Sequence, residues 1–463
     1  MQSAAGSLGF LAGAHSENNV RSFEECSVSR FLATGLPFLK GVEAPSVEEY
    51  VDRRNRLARG LVQAGVDAFV VEPGYTFQYF ANVSQPDWEV WEVRSTPSVK
   101  HMLPCFANTI LQPEERPFLL VIRPVKHVDG TVSANSTFLS PAFEAERARL
   151  LGMPFLEPLS IIEWEEHWNP YSTLLTSSLF ADIHPANAPK VMVDEEMRDF
   201  IQRGLSESGF DVIGLGGTVE AVRQTKSSVE TSILRAVNTG TVEAIRAMRQ
   251  CMYPGLTESE VATVLDRTLQ AAGLAPFFDI VLFDENASNP HGGTNGTKTL
   301  SAETFVLIDV GAHLHGYSSD VCRTFFPPFL PQTRHVKERL RHKLEVWDLV
   351  LSAQTASVAQ FRPGQSAASV DIAARSIIED AGYGNDFTHR VGHGIGIKAH
   401  ESPYLNKGNT QTLLQAGMAF TSEPGVYLVG KFGVRHEDIF IVREGNHEPD
   451  CLSGIRAKGP WDP

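Results

Sequence analysis

Four carboxylates and one imidazole punctuate the second half of the chain, each at the end of an apolar strand or in a glycine-rich turn. They are Asp309 in Leu-Ile-Asp-Val-Gly, Asp320 in Ser-Ser-Asp-Val-Cys-Arg-Thr-Phe, His393 in Val-Gly-His-Gly-Ile-Gly, Glu423 in Ser-Glu-Pro-Gly and Glu437 in Arg-His-Glu-Asp-Ile. Taken singly, each reads as a strand-end turn former or a solvated charge. His393 stands apart, because glycines on both sides leave room for another group to approach closely. The conjunction decides the reading: all five fall in one predicted domain, in contexts that pin their directions. So many charges in one dry site require cations, since a buried carboxylate otherwise stays protonated or costs several kcal/mol. Two divalent metals meet that need, because carboxylates chelate or bridge oxygen-loving ions about 3.5–4 Å apart and such a pair can hold and ionise a water.

The rest of the composition is that of an ordinary globular protein. With 463 residues, 42% hydrophobic and 21% charged, the chain should form two or three domains at roughly 100–200 residues each. The 40 Lys and Arg against 55 Asp and Glu leave a net charge of −15, which repels phosphate backbones and anionic lipid, so neither nucleic acid nor membrane is an expected partner. Cys26, Cys105, Cys251, Cys322 and Cys451 are odd in number and show no CxxC spacing. They suggest a reducing, cytoplasmic setting rather than a disulfide framework or a zinc ribbon. The apolar patch Leu8 to Ala12 has no preceding Lys or Arg and does not read as a secretory signal, and no run approaches the ~18 residues of a membrane span. Four Asn-x-Ser/Thr sequons, at Asn82, Asn135, Asn286 and Asn295, argue the other way, but such triplets are common by chance.

Along the chain, residues 1–44 lack sustained periodicity and suggest a partly ordered extension. From 45 to 218, strands such as Ala68–Val71, Phe118–Ile122, Val191–Val193 and Val212–Gly214 alternate with helical stretches, the first opened by the capping box Ser46-Val-Glu-Glu49. The stretch Gly214-Leu-Gly-Gly217 lacks the spacing and the lysine of a phosphate cradle. From 219 to 455 the pattern is α+β: capping boxes at Ser227–Glu230 and Thr257–Glu260 open two helices, strands follow, and two further helices near 336–360 and 367–381 precede a final strand-rich stretch.

The order and contexts of the five ligand-type residues resemble the family of methionine aminopeptidase, aminopeptidase P, prolidase and creatinase, whose catalytic domain is the pita-bread fold. Asp320 lies eleven residues after Asp309, His393 is flanked by glycines, Ser422 opens Ser-Glu-Pro-Gly-Val-Tyr, and Glu437 lies fourteen residues after Glu423. All fit the proline-specific branch. The stretch Tyr75 to Val83 resembles the smaller creatinase-type α/β domain that precedes the catalytic domain there. The resemblance thus implies an α+β protein with an amino-terminal α/β domain over 45–218 and a pita-bread domain over 219–455.

By the same resemblance, Asp309 chelates one metal, Asp320 and Glu437 bridge two, and His393 with Glu423 completes the other. A water held between the metals attacks the scissile carbonyl, and Glu423 shuttles its proton to the leaving nitrogen. Manganese is expected first, with cobalt or zinc as alternatives. His291 in Asn-Pro-His-Gly-Gly, His389 and His400 match positions around the substrate, where a neutral imidazole donates to an oxyanion or holds the proline side. Arg435, two residues before Glu437, is expected to hold the bridging carboxylate by a bidentate contact. His313 and His315 form an HxH on a strand and are left out of the site, while Glu165, Glu166 and His167, without HExxH spacing, read as domain-interface residues.

The implied activity is a two-metal exopeptidase cutting Xaa-Pro bonds, as an aminopeptidase or a dipeptidase, and the related enzymes are commonly homodimers. Prolidases restricted to dipeptides carry an arginine between the His-x-x-Pro segment and the first catalytic glutamate; here Ser402 to Ser422 contains Lys407 and no arginine, leaving both substrate lengths open. Two other readings keep the fold: a metal-dependent lyase or C–N hydrolase acting on a small non-peptide substrate such as dimethylsulfoniopropionate, and a non-enzymatic peptide-binding module. The filled ligand set disfavours the last.

Overall fold

In the computed structural model, residues 5–88, 114–184, 186–445 and 447–463 are described; Cys105 lies outside them. The chain divides into two compact units, Pro45–Arg223 and Met1–Ala44 with Gln224–Pro463. The expected boundary near 218 is crossed by a continuous helix, Gly217–Gln224.

Residues 5–33, read above as part of an extension, form one helix, α1 (Ala5–Ala33). It bears no strong apolar stripe, so periodicity alone does not reveal it. Tertiary contacts hold it instead: Phe23 and Phe31 are buried in the core of the larger unit, Glu24 pairs with Arg267, and a disulfide joins Cys26 to Cys251. That bond runs against the reducing setting expected from the cysteine count. An odd count with no close spacing does not exclude a single bridge between residues 225 apart.

In the smaller unit, Ser46 accepts the N–H of Glu49 and opens α2 (Val47–Ala64), which Gly65 ends in the left-handed conformation. A six-stranded sheet follows, built from β1 (Ala68–Val71), β2 (Leu119–Lys126), β3 (Val132–Pro141), β4 (Ser160–Trp164), β5 (Lys190–Val193) and β6 (Asp211–Gly214) in the order β4-β3-β2-β1-β5-β6. The four apolar strands were legible. β3 was not, because its first half, Val-Ser-Ala-Asn-Ser, is polar and partly exposed, and pairing with β2 along its length fixes it.

The larger unit begins its helical layer with α3 (Ser228–Arg249) and α4 (Glu258–Ala271), both with complete capping boxes. They cover a sheet in which β8 (Val306–Leu314) lies between β7 (Ala275–Phe283) and β9 (Val321–Phe325), all antiparallel. The predicted helix near 336–360 breaks at Leu340, so that α5 (Arg341–Val358) and α6 (Ala367–Asp380) follow a short helix, Arg334–Arg339. These pack on a second, five-stranded sheet that contains β10 (Gly392–Gly394), β11 (Glu401–Leu405), β12 (Ala419–Ser422) and β15 (Asp438–Ile441) in the order β11-β10-β12-β15, with the short strand Asp450–Cys451 paired to the outer edge of β15. Between β12 and β15 in sequence, β13 (Gly425–Leu428) and β14 (Phe432–Arg435) form a hairpin. Trp347, Phe361, Phe420 and Phe440 lie in the core between these helices and strands. No helix among the described residues is long and apolar enough to cross a membrane.

Candidate metal centre

Each ligand-type residue is aimed by a different backbone device. Asp309 is mid-strand in β8, directly opposite Ile280 of β7 and Cys322 of β9. Asp320 precedes β9, and its backbone N–H donates to Asn238 Oδ1 of α3 at 3.1 Å. His393 is the middle residue of β10. A Cβ on Gly392 would stand 2.2 Å from the Thr421 carbonyl oxygen, and one on Gly394 would stand 2.8 Å from the carbonyl oxygens of Glu401 and Ser402. The glycines beside His393 are therefore required by the flanking strands, which take up the space they leave.

Glu423 and Glu437 emerge where one ladder ends. β12 and β15 pair as far as Ser422 and Asp438, and the next residue outward on each strand is a glutamate. The side-chain amide of Gln354, from α5, donates to the carbonyls of Ser422 (3.1 Å) and His436 (3.3 Å) and to Asp438 Oδ2 (3.0 Å). Arg456 holds the amide oxygen from the other side at 2.6 Å. Asp438 also binds Arg323 at 2.6 Å, with both side chains almost fully buried. One glutamine thus fixes the peptide units leading into both glutamates, a role that sequence inspection missed.

The structure brings all five predicted residues together. Ligand atoms of Asp309, Asp320 and Glu437, of His393, Glu423 and Glu437, and of Asp320, His393 and His400 lie within 4.8 Å of one another in each group. His393 Nε2 stands 3.2 Å from Glu423 Oε1 and 3.7 Å from Asp320 Oδ2. Asp309 Oδ1 and Glu437 Oε1 are buried without a hydrogen-bond partner. Orphaned carboxylate oxygens facing other carboxylates are what a hard divalent cation would satisfy. Electrostatics agree: burial, then the neighbouring Asp309, pushes Asp320 far above the ordinary carboxylate range. Glu437 is raised in the same way by burial and then Asp320, and Asp309 by burial despite Arg435. Glu423 runs the other way. Burial opposes ionisation, but the hydrogen bond and charge of His393 outweigh it and bring the group to about 2.

The surrounding residues are partly as expected. His400 is exposed, yet its Nε2 lies 3.5 Å from Asp320 Oδ2, and its ring centre lies 4.2 Å from that of His393. His291 is exposed in the loop after β7. Arg435 corrects the expectation: its guanidinium meets Asp309, not Glu437, at 2.5 Å. β14 ends at Arg435, and Glu437 instead bridges to Cys322 of β9, the residue opposite Asp309. The other Arg435 nitrogen donates to Tyr427 Oη at 2.8 Å and the Pro290 carbonyl at 3.2 Å. Tyr427 Oη lies 2.7 Å from His389 Nε2, whose Nδ1 is 2.7 Å from the Arg390 carbonyl. Nδ1 therefore carries the proton and Nε2 accepts from Tyr427. Both nitrogens of His389 are taken within the protein, and burial lowers its basicity.

The histidines set aside stay apart: His313 stacks on Phe277 with ring centres 4.2 Å apart, and His315 occupies a left-handed turn. Glu166 pairs with Arg116, and His167 packs on Trp168.

Residues 232–444 match the family model described as metallopeptidase family M24. An uncharacterised peptidase of Schizosaccharomyces pombe is 35% identical over 450 residues, covering 96% of this chain and 90% of that protein. An uncharacterised peptidase of Staphylococcus aureus is 30% identical over 342 residues, 73% of this chain and 88% of that protein. Among solved structures, dipeptidase PepE of Mycobacterium ulcerans superimposes with a TM-score of 0.70 at 26% identity, over 89% of this chain and 98% of that one. Aminopeptidase P of Escherichia coli, at 18% identity and a TM-score of 0.65 over 90% and 97% of the two chains, shares the fold.

Proposed function

The chain belongs to metallopeptidase family M24, with the pita-bread fold and an amino-terminal domain, and from that premise we propose that it is a two-metal exopeptidase cleaving Xaa-Pro bonds. The observation that carries this reading is the convergence of Asp309, Asp320, His393, Glu423 and Glu437, with two orphaned buried carboxylate oxygens among them. All donors but one are carboxylates, a set that suits manganese over softer ions. Bound there, the metals supply Lewis acidity and a nucleophilic water near neutral pH.

The protein's own residues do the rest. Glu423 is held by His393 and by the hydroxyl of Thr421, which donates to it at 3.3 Å. It stays ionised, so it can accept the proton of an attacking water and deliver it to the departing proline nitrogen. In this reading His291 and His400, both exposed, donate to the carbonyl oxygen as it becomes an oxyanion, which the approach of His400 to Asp320 at 3.5 Å supports. Arg435 orients Asp309, while the directed chain from Arg435 through Tyr427 and His389 to the Arg390 carbonyl keeps the proline side of the site in one protonation state.

The test is release of the amino-terminal residue from Xaa-Pro dipeptides, Xaa-Pro-Yaa tripeptides and non-proline controls. Chelated protein is assayed with and without manganese, beside Asp320→Ala. Manganese-dependent cleavage confined to proline peptides and absent in the variant supports the reading. Binding of about two metals per chain without peptide cleavage points instead to a non-peptide substrate, and no metal binding overturns the ligand assignment.

A further inference from the structure

The loop between β7 and β8, residues 284–305, carries His291 and is tied together by one buried carboxylate. Glu258, only 1% exposed in the first turn of α4, accepts the Phe283 N–H at 2.7 Å and the Asn286 side-chain amide at 2.9 and 3.1 Å through its two oxygens. Its Oε2 also accepts the Thr294 hydroxyl at 3.3 Å. Asn286 lies five residues before His291, and Thr294 three after it. One side chain thus joins the outgoing limb of the loop to the returning limb, on either side of the histidine. All three partners donate, and a carboxylate, which offers only acceptors, can serve them together.

Both limbs are anchored at their bases. The outgoing limb presses on β14, where Gly433 leaves room for the Ala287 carbonyl that a Cβ would strike, and Arg435 holds the Pro290 carbonyl. The returning limb binds the first turn of α4: the Glu258 N–H donates to the Lys298 carbonyl and the Ser259 N–H to the Gly296 carbonyl. Between these anchors runs His291-Gly-Gly-Thr-Asn-Gly. Its three glycines all have positive φ, at 75°, 95° and 69°, a backbone with wide conformational latitude. The space between this tip and β7 is a cavity of about 280 Å³, lined by Glu258, Ile280, Leu282, His291 and Thr294, rather than packed side chains. The place of His291 is therefore set by the polar clasp more than by packing. That place is close to the metal centre: burial raises Asp309, and after Arg435 the His291 imidazole is among the charges that oppose the rise.

We propose that Glu258 is a positioning residue: by clasping both limbs of the loop it holds His291 beside the metal centre, and its loss lowers turnover through His291 alone. The inference rests on the reading that gives His291 the reacting carbonyl oxygen, but the clasp itself does not. In Glu258→Gln the volume is kept, yet one oxygen becomes an NH2 group facing donors, so a limb is released. Thr294→Val releases the returning limb alone, at an exposed position and with the shape of the side chain preserved. Displacement of a reacting group by about 1 Å costs up to roughly 100-fold in rate.

The first readout is turnover of an Xaa-Pro dipeptide by the manganese-loaded protein. In Glu258→Gln kcat is expected to fall by about 10–100-fold with manganese affinity unchanged, and in Thr294→Val by less. In a His291→Ala background each substitution should change kcat by less than about twofold, because residues that act through one partner are not additive. The second readout needs no turnover: trypsin cuts after Lys298, in the returning limb, when the loop opens, and the mass of the fragment identifies the cut. Well below their Tm, both variants are expected to be cut there about tenfold faster than wild type. Losses of kcat that add fully to that of His291→Ala, or cutting at the wild-type rate in both variants, overturn the proposal. If Glu258→Gln does not fold, Thr294→Val decides by the same two criteria. Faster cutting in a protein that cleaves no proline peptide keeps the clasp and discards the Xaa-Pro reading.

Discussion

The guanidinium of Arg435 meets the carboxylate of Asp309 at 2.5 Å, and both side chains are almost wholly buried. The same guanidinium holds Tyr427 and the Pro290 carbonyl, so it orients one metal-site carboxylate and one wall of the substrate site together. A lysine retains the charge but cannot serve all three partners. Arg435→Lys should therefore lower manganese affinity and kcat by about 10–100-fold, the usual cost of losing a residue that orients a ligand. Titration calorimetry and steady-state kinetics check this. Values within twofold of wild type would show that the orientation of Asp309 does not depend on the fork.

Asp320, Glu437 and Asp309 are all pushed upward by burial and mutual repulsion, so in chelated protein they oppose folding at neutral pH. Asp320→Asn should then have opposite effects in the two states. Without metal the variant should be as stable as wild type or more so. With manganese it should gain far less than wild type, for which saturation at a hundred times Kd is worth about 2.7 kcal/mol per site. Tm measured with and without chelator separates these. A variant destabilised equally in both states contradicts the reading of this cluster as a cation site.

All five ligand-type residues were legible because strands and glycine turns fix their directions locally. The partner of Arg435 was not, since it depends on how β14 meets β8, and these belong to different sheets. Gln354 was equally hidden: a glutamine in mid-helix carries no local sign that it faces inward, and only the end of the β12–β15 ladder gives its amide acceptors. α1 and the Cys26–Cys251 bond depend on tertiary packing across 225 residues, which neither periodicity nor cysteine spacing reports. β3 was missed because its strand character lies in its pairing with β2 and β4 rather than in its residues.

The disulfide anchors α1 where Phe23 and Phe31 enter the core. Its reduction should lower stability by about 2–5 kcal/mol, chiefly by freeing the unfolded chain. Urea unfolding with and without reductant measures this, with Cys26→Ser as the control that makes reductant irrelevant. If wild type and variant unfold at the same midpoint under non-reducing conditions, the bond contributes nothing to the fold.

His313 is stacked on Phe277, and burial lowers its basicity below the ordinary value of 6.5. The unfolded chain therefore binds a proton here before the folded one does. The stability His313 contributes is present above 6.5 and is lost as pH falls below that value, at no more than about 1.4 kcal/mol per pH unit. His313→Phe keeps an aromatic ring against Phe277 but removes the titration, so its urea midpoint should fall less than that of wild type between about pH 7.5 and pH 5.5. Parallel losses in the two proteins would place the acid sensitivity elsewhere.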